Sequence, residues 1–467
     1  MAKTKIVCTI GPSSRSAETI EAMIRQGMTV ARLNFSHGTH EEHGEMIRLI
    51  REVSTAIGKP VAILQDLCGP KIRVGSVPAG GLSLKSGQRI RLTGEQVPGS
   101  ADRISVSHKG LPSDVRSGDR ILLADGLMEV VVDRVQGMEI ECTVVTGGVL
   151  TSHKGVNLPA RTLTVKAITD KDQRDLAFGL QNGVDFVALS FVRSSSDIEA
   201  VKALIRAQGK KTPVVAKIEK HEALEVVDDI ITVADAIMVA RGDLGVEIPL
   251  ETVPNIQKRL IHKCNKAGKP VIIATQMLRS MVDSPRPTRA EAADVANGVM
   301  DGADAVMLSE ETASGNYPVE AVRYMSVIAR SSEERYPHGR FARQVPGHEI
   351  GKSVAAAACT LADHVRARAI VATTRSGATA DHIARFRPKT PILALSPDAH
   401  TIRRLCLTWG CVPCYLQISE DTDEMVERAA EAALETGRVK KGDVVVITAG
   451  RPLWAEGTTN LLWVKKL

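Results

Sequence analysis

Aromatic side chains are scarce: Phe, Trp and Tyr make up 3% of the 467 residues, so the cores must be built from Val, Ile, Leu and Ala. No basic tract with interleaved aromatics occurs, which argues against a nucleic-acid partner. No uninterrupted apolar run reaches the ~18 residues of a membrane-spanning helix. The opening Met-Ala-Lys-Thr-Lys leads straight into a strand-like run, so neither a membrane segment nor a signal peptide is expected. The eight cysteines are scattered, and although Cys411 and Cys414 form a C-x-x-C, no second pair or nearby His completes a zinc site. Thiols kept reduced in a cytoplasm fit that pattern. What is present is a net charge of +6, a modest positive balance that suits anionic substrates, and a length too great for one core, so two to four domains are expected.

Short β-rich runs alternate with helical patterns at the start. Ile6–Ile10, Thr29–Asn34 and Val61–Leu67 read as strands, with helices over about 16–26 and up to Ile57, before Gly58. From about 70 to 166 the alternation stops, and Gly-rich short runs such as Arg89–Leu92, Arg120–Ala124 and Glu129–Val132 predict an all-β insert. It then resumes with Phe186–Phe191, Val214–Ile218, Ala236–Val239, Val271–Thr275 and Ala305–Leu308. Eight strands, each followed by a helix, point to a closed (β/α)₈ TIM barrel over 1–69 and 167–344, with a doubly wound sheet as the competing arrangement. Beyond 345 a second α/β unit is expected, with strands at Ala369–Thr373, Pro391–Leu395, Val412–Leu416, Val444–Thr448 and Leu461–Val464.

In such a barrel the reactive groups lie at the C-terminal ends of the strands, and here those ends are polar. They carry Arg32, Asn34, Ser36 and His37; Asp66 and then Lys71 and Arg73; Lys217 and Glu219; Gly242 and Asp243; Thr275; and Ser309. Lys217 and Glu219 are two apart on one strand and so share a face. A charged pair in an apolar run is costly unless it pairs or binds something. A barrel salt bridge is the plain reading. With Asp243 on the next strand, two carboxylates form a typical protein contribution to Mg²⁺. Arg32 and Arg73 add guanidinium forks suited to phosphate, and Gly242 allows a ligand close to the backbone. Phosphoryl transfer needs mainly positioning and charge neutralisation, which this set supplies.

At these residues the sequence resembles the pyruvate kinases along essentially its whole length. The segments are Thr9-Ile10-Gly11-Pro12, Arg32 to Gly38, Gly69-Pro70-Lys71-Ile72-Arg73, Lys154 to Pro159, Ala216-Lys217-Ile218-Glu219, Ala240 to Gly245, Ala274 to Leu278, and Pro287-Thr288-Arg289-Ala290-Glu291. The resemblance implies that phosphoenolpyruvate, ADP and ATP are the substrates and products. Lys217 would stabilise the enolate, Glu219 and Asp243 would hold Mg²⁺ (or Mn²⁺), and Arg32 would contact the transferred phosphate. Thr275 and the amides of Gly242 and Asp243 would take the substrate carboxylate, and Thr275 would join Ser309 and water in a proton relay. Asn34, His37, Arg73 and Lys154 would serve the nucleotide. The insert would be a β-barrel lid, 345–467 an effector domain, and the assembly a cytoplasmic homotetramer.

Two departures stand out. Many members hold K⁺ with Asn, Ser, Asp and Thr near a Glu; here Asn34, Ser36 and Asp66 remain, while Leu67 and Lys71 replace the Thr and the Glu. A tethered Lys71 ammonium can supply the ion's charge, so no K⁺ requirement is expected. Glu310 stands where many members have Gly. In the C-terminal unit, the loop carrying Thr374, Arg375, Ser376, Gly377 and Thr379 reads either as a phosphate nest or as a helix N-cap. The resemblance favours a phosphorylated allosteric effector there. Two other readings compete: a different Mg²⁺-dependent barrel enzyme of pyruvate or enolate chemistry, and a non-catalytic sugar-phosphate sensor, in which the site residues should be eroded.

Overall fold

Runs of four to seven residues, rich in Val, Ile, Ala and Met, form eight parallel strands: Lys5–Thr9, Met28–Asn34, Ala62–Asp66, Phe186–Leu189, Val214–Ile218, Ala236–Ala240, Val271–Ala274 and Ala305–Leu308. Most are buried along their whole length, as expected where both faces of a parallel sheet are covered. The computed structural model describes residues 2–159, 167–342, 348–419, 421–455 and 457–467. The strands close on themselves, with Lys5 registered on Ala305 and Ile6 on Met28. That ring excludes the doubly wound sheet.

Side chains alternate between two apolar layers. Val7, Leu64, Ala188 and Val215 fill the barrel interior. Their neighbours Cys8, Ile63, Leu189 and Ala216 face the surrounding helices. The parity continues past the apolar part: Thr9, Arg32, Asp66, Ser190, Lys217 and Glu219 are the next inward positions on their strands. Helix caps fix the connections. Ser16 caps Ala17–Gln26 by accepting from the Thr19 N–H, and Thr39 forms a capping box with Glu42 ahead of His40–Ala56.

Two strands end sooner than their apolar runs suggest. The fourth stops at Leu189 and the seventh at Ala274, because Phe191 (φ 55°) and Thr275 (φ 78°) adopt left-handed backbone conformations that no strand can contain.

Between the third and fourth barrel strands, a six-stranded sheet and a two-stranded ribbon surround their own apolar core, from Ile72 to Leu158. The C-terminal sheet runs in the order Cys411–Tyr415, Ile392–Ser396, Ala369–Thr373, Val444–Gly450, Thr459–Lys466, with the last strand antiparallel. All five predicted strands are present. No described helix is long and apolar enough to cross a membrane.

Candidate active site

The inward polar positions meet at one point. The Lys217 ammonium donates to Ser190 Oγ at 2.7 Å and lies 2.8 Å from Glu219 Oε1 and 3.2 Å from Asp66 Oδ1. Arg32 Nε donates to Asp66 Oδ2 at 2.7 Å, and its Nη1 donates to Thr9 Oγ1 at 2.9 Å. Glu219 Oε2 accepts the Phe191 N–H at 2.8 Å, a bond made possible by the left-handed turn at that residue. Asp66, Lys217 and Glu219 are all buried.

Burial and charge oppose each other here. Burial would strip the proton from Lys217, but Asp66 and Glu219 outweigh it and hold the ammonium firmly charged. Burial pushes the Glu219 carboxyl up; Lys217 pulls it back, Asp243 pushes it further, and the net direction is upward. Asp66 goes the other way, because Lys217 and Arg32 together overcome its burial.

Asp243 approaches from the first turn of the short helix after the sixth strand, half-buried, with Lys71 Nζ at 3.2 Å. Lys71 also reaches Asp125 at 3.5 Å. A Cβ on Gly155 would come within 2.7 Å of Asp125 Oδ1 and 3.1 Å of Lys71 Cε, so glycine leaves the room in which these two side chains of the insert meet. Gly242 meets Thr275 in the same way, with an added Cβ at 2.6 Å from Thr275 Cγ2. Ser309 donates its N–H to Glu311 Oε2 at 2.8 Å, and Glu311 Oε1 accepts from Leu278 N at 3.1 Å, tying the ends of strands seven and eight together. Glu310 pairs with Arg279 at the surface, 3.0 Å away.

The other expected residues are gathered only in part. Asn34 Oδ1 accepts from Ser36 N at 3.1 Å, closing a turn, while Asp66 belongs to the Lys217 cluster and Lys71 to Asp243. His37 is exposed at that turn. Arg73 bridges Gly155 through its backbone and donates from Nη1 to His153 O at 3.1 Å, which sets it beside exposed Lys154 on the insert. No hydrogen bond or ion pair joins either to the Lys217 cluster among the described residues. In the C-terminal unit, Thr374, Arg375, Ser376 and Thr379 line a cavity of about 380 Å³ with Trp454. Gly377, not a side chain, caps the helix Ala378–Ala384, so the loop hydroxyls do not serve as its N-cap. Thr374 Oγ1 accepts the Gly377 N–H at 2.9 Å.

Sequence reasoning missed Ser190 and Arg241. The signal for Ser190 was its inward parity at a strand end. A second donor group was also missed: His221, Glu222 and Glu247 have ligand atoms within 4.8 Å of one another. Lys220 Nζ lies 2.7 Å from Glu247 Oε1, so that group already holds a positive charge.

The pyruvate kinase barrel-domain model matches residues 1–322, and the pyruvate kinase alpha/beta-domain model matches 352–465. The chain belongs to the pyruvate kinase family. It is therefore a phosphotransferase. It is 48% identical to "Pyruvate kinase 2" of Synechocystis sp., over 99% of this chain and 79% of that one. It is 43% identical to the pyruvate kinase of Clostridium acetobutylicum over 100% and 99% of the two chains, and 48% identical to that of Geobacillus stearothermophilus over 99% and 80%.

Proposed function

We propose that this enzyme transfers the phosphoryl group of phosphoenolpyruvate to ADP, giving pyruvate and ATP, as the last step of glycolysis in the cytoplasm. The observation that carries the proposal is the buried Lys217 ammonium, held by Ser190, Asp66 and Glu219 beside Arg32 at the inner rim of the barrel.

The reaction breaks the bond between phosphorus and the enol oxygen and forms one to the terminal phosphate oxygen of ADP. Negative charge collects on the enol oxygen, and Lys217 neutralises it there without having to reorient. Arg32, already aimed by Asp66 and Thr9, contacts the transferred phosphate. The Gly242 and Asp243 amides and Thr275 take the substrate carboxylate. The enolate then gains a proton at its methylene carbon by a route through Thr275, Ser309 and water. Asn34, His37, Arg73 and Lys154 serve the nucleotide. We assign catalysis to 1–69 and 167–344, and water exclusion to 70–166 acting as a lid.

Glu219 and Asp243 suit a hard divalent cation. Both offer carboxylate oxygens, and Asp243 adds to the upward push on the Glu219 carboxyl, a repulsion that a cation between them relieves. When bound, Mg²⁺, or Mn²⁺ in its place, neutralises charge on the substrate's oxygens. Lys71 brings a tethered charge to Asp243, so we infer no K⁺ requirement. Equal turnover in sodium-only and potassium buffers is expected, and strong K⁺ activation overturns this point.

The C-terminal unit, 345–467, is assigned to a phosphorylated effector at the Thr374–Thr379 loop, acting within a homotetramer. A panel of sugar phosphates and AMP tests it. The central test is ATP formation from phosphoenolpyruvate and ADP with Mg²⁺, and its absence from the folded chain sinks the reading.

A further inference from the structure

The turn after the seventh strand is strained. Thr275 has φ of 78° and Gln276 of 55°, and a β-branched residue in the left-handed region persists only where its surroundings force it there. One side chain grips this turn from the neighbouring strand end. Arg241 opens the helix Arg241–Glu247 after the sixth strand. Its Nε donates to Ala274 O at 3.3 Å, and its Nη2 donates to Thr275 O at 2.8 Å and to Met277 Sδ at 2.9 Å. On the far side, Nη1 donates to Asp294 Oδ1 at 2.7 Å and to Gln257 Oε1 at 3.3 Å, from two outer helices. These contacts engage all five donors of the guanidinium.

The Arg241 charge is matched one to one by Asp294, and no donor is left for a ligand. The side chain therefore has nothing to offer a substrate. Its backbone leads directly into Gly242 and Asp243, and Gly242 packs so close to the Thr275 methyl that a Cβ would collide with it. One residue thus ties together the two halves of the pocket that the preceding reading gives to the substrate carboxylate.

We propose that Arg241 is a positioning residue, which clasps the Thr275 turn to the first residues of its own helix, Gly242 and Asp243, and so keeps the Thr275 hydroxyl in register with those amides. This rests on the reading of Thr275 given above. Lysine cannot replace it: an ammonium keeps the charge pair with Asp294 but lacks the planar fork that spans two successive carbonyls.

The experiment is a double-mutant cycle on the full chain, with variants Arg241→Lys, Thr275→Ala and both together. Turnover of phosphoenolpyruvate and ADP is measured beside solvent exchange of the pyruvate methyl protons in D₂O with Mg²⁺ and ATP. Misplacing a reacting group by an ångström can cost about 10²-fold. Arg241→Lys is expected to slow proton exchange by about ten- to a hundredfold and to raise the KM for phosphoenolpyruvate. In the Thr275→Ala background it should add little, because the group it positions is gone. Full additivity, or exchange within twofold of the unmodified chain, overturns the proposal. If Arg241→Lys fails to fold, Asp294→Asn runs the same cycle: it removes the anchor and keeps the fork, and non-additivity with Thr275→Ala is again required. An unmodified chain without turnover defeats the functional reading instead, and an active Thr275→Ala defeats the role of Thr275.

Discussion

Asp185, Asp235 and Asp304 stand immediately before the fourth, sixth and eighth barrel strands, and each accepts the N–H of the preceding strand: Ile63 at 2.7 Å, Val214 at 2.8 Å and Val271 at 3.1 Å. Each also has its own cation. Asp185 has Arg51 and Arg403, Asp235 has Lys202, and Asp304 has Arg387, all at 2.7–2.8 Å. Cys406 and Leu407 plug this end of the barrel from the C-terminal unit. At the other end, Glu219 and Asp243 repel each other, and one ammonium, Lys217, is shared between Asp66 and Glu219. The same residue types thus do different work. At the base, carboxylates are saturated by amides and cations and act as staples. At the rim, Asp66, Glu219 and Asp243 share Arg32, Lys217 and Lys71 with few backbone amides to help, and Asp243 still pushes the Glu219 carboxyl up, a repulsion that an added divalent cation would relieve.

The sharpest way to test this contrast is Lys217→Met. Turnover should fall by on the order of 10³, far more than the KM for phosphoenolpyruvate changes; a loss of stability with retained turnover would make Lys217 a staple like those below. The reverse is expected at the base. Arg387→Met leaves the buried Asp304 without its guanidinium and should cost about 3–5 kcal/mol of stability by chemical denaturation, with the KM for phosphoenolpyruvate unchanged at low temperature. Asp243→Asn removes charge from the rim and should weaken Mn²⁺ binding by about tenfold or more in titration calorimetry; unchanged affinity would move the metal elsewhere. The smallest effect concerns His338, whose Nδ1–H donates to Arg387 O at 2.6 Å. Burial holds its imidazole below the usual range. The unfolded chain therefore takes up the proton first as pH falls, so stability should decline below about 6.5. His338→Asn should flatten that slope in thermal melts, and an unchanged slope would remove His338 from the base network.

Much of this was readable in advance, and the reasons are local. All eight barrel strands were placed within one or two residues, because a parallel strand covered on both faces needs a continuous apolar run. Lys217 and Glu219 could be put on one face because strand side chains alternate with period two. Ser190 was invisible as a ligand: a serine after Leu189 resembles any strand terminus until the barrel closes and brings Lys217 to 2.7 Å. Arg241 was read as part of a motif, but its five contacts come from strands and helices up to 53 residues away.

Lys71 shows where such reading stops. Its sequence context associated it with Asn34, Ser36 and Asp66, yet its ammonium lies on Asp243, 172 residues further along the chain. Alternation, caps and apolar runs are short-range consequences of backbone geometry, and they already specify a barrel, its insert and the inward polar ring. Which charge meets which depends on the closed circle of strands and on how the insert folds over it. Electrostatic partners are chosen by distance in space, and only the assembled fold sets that distance.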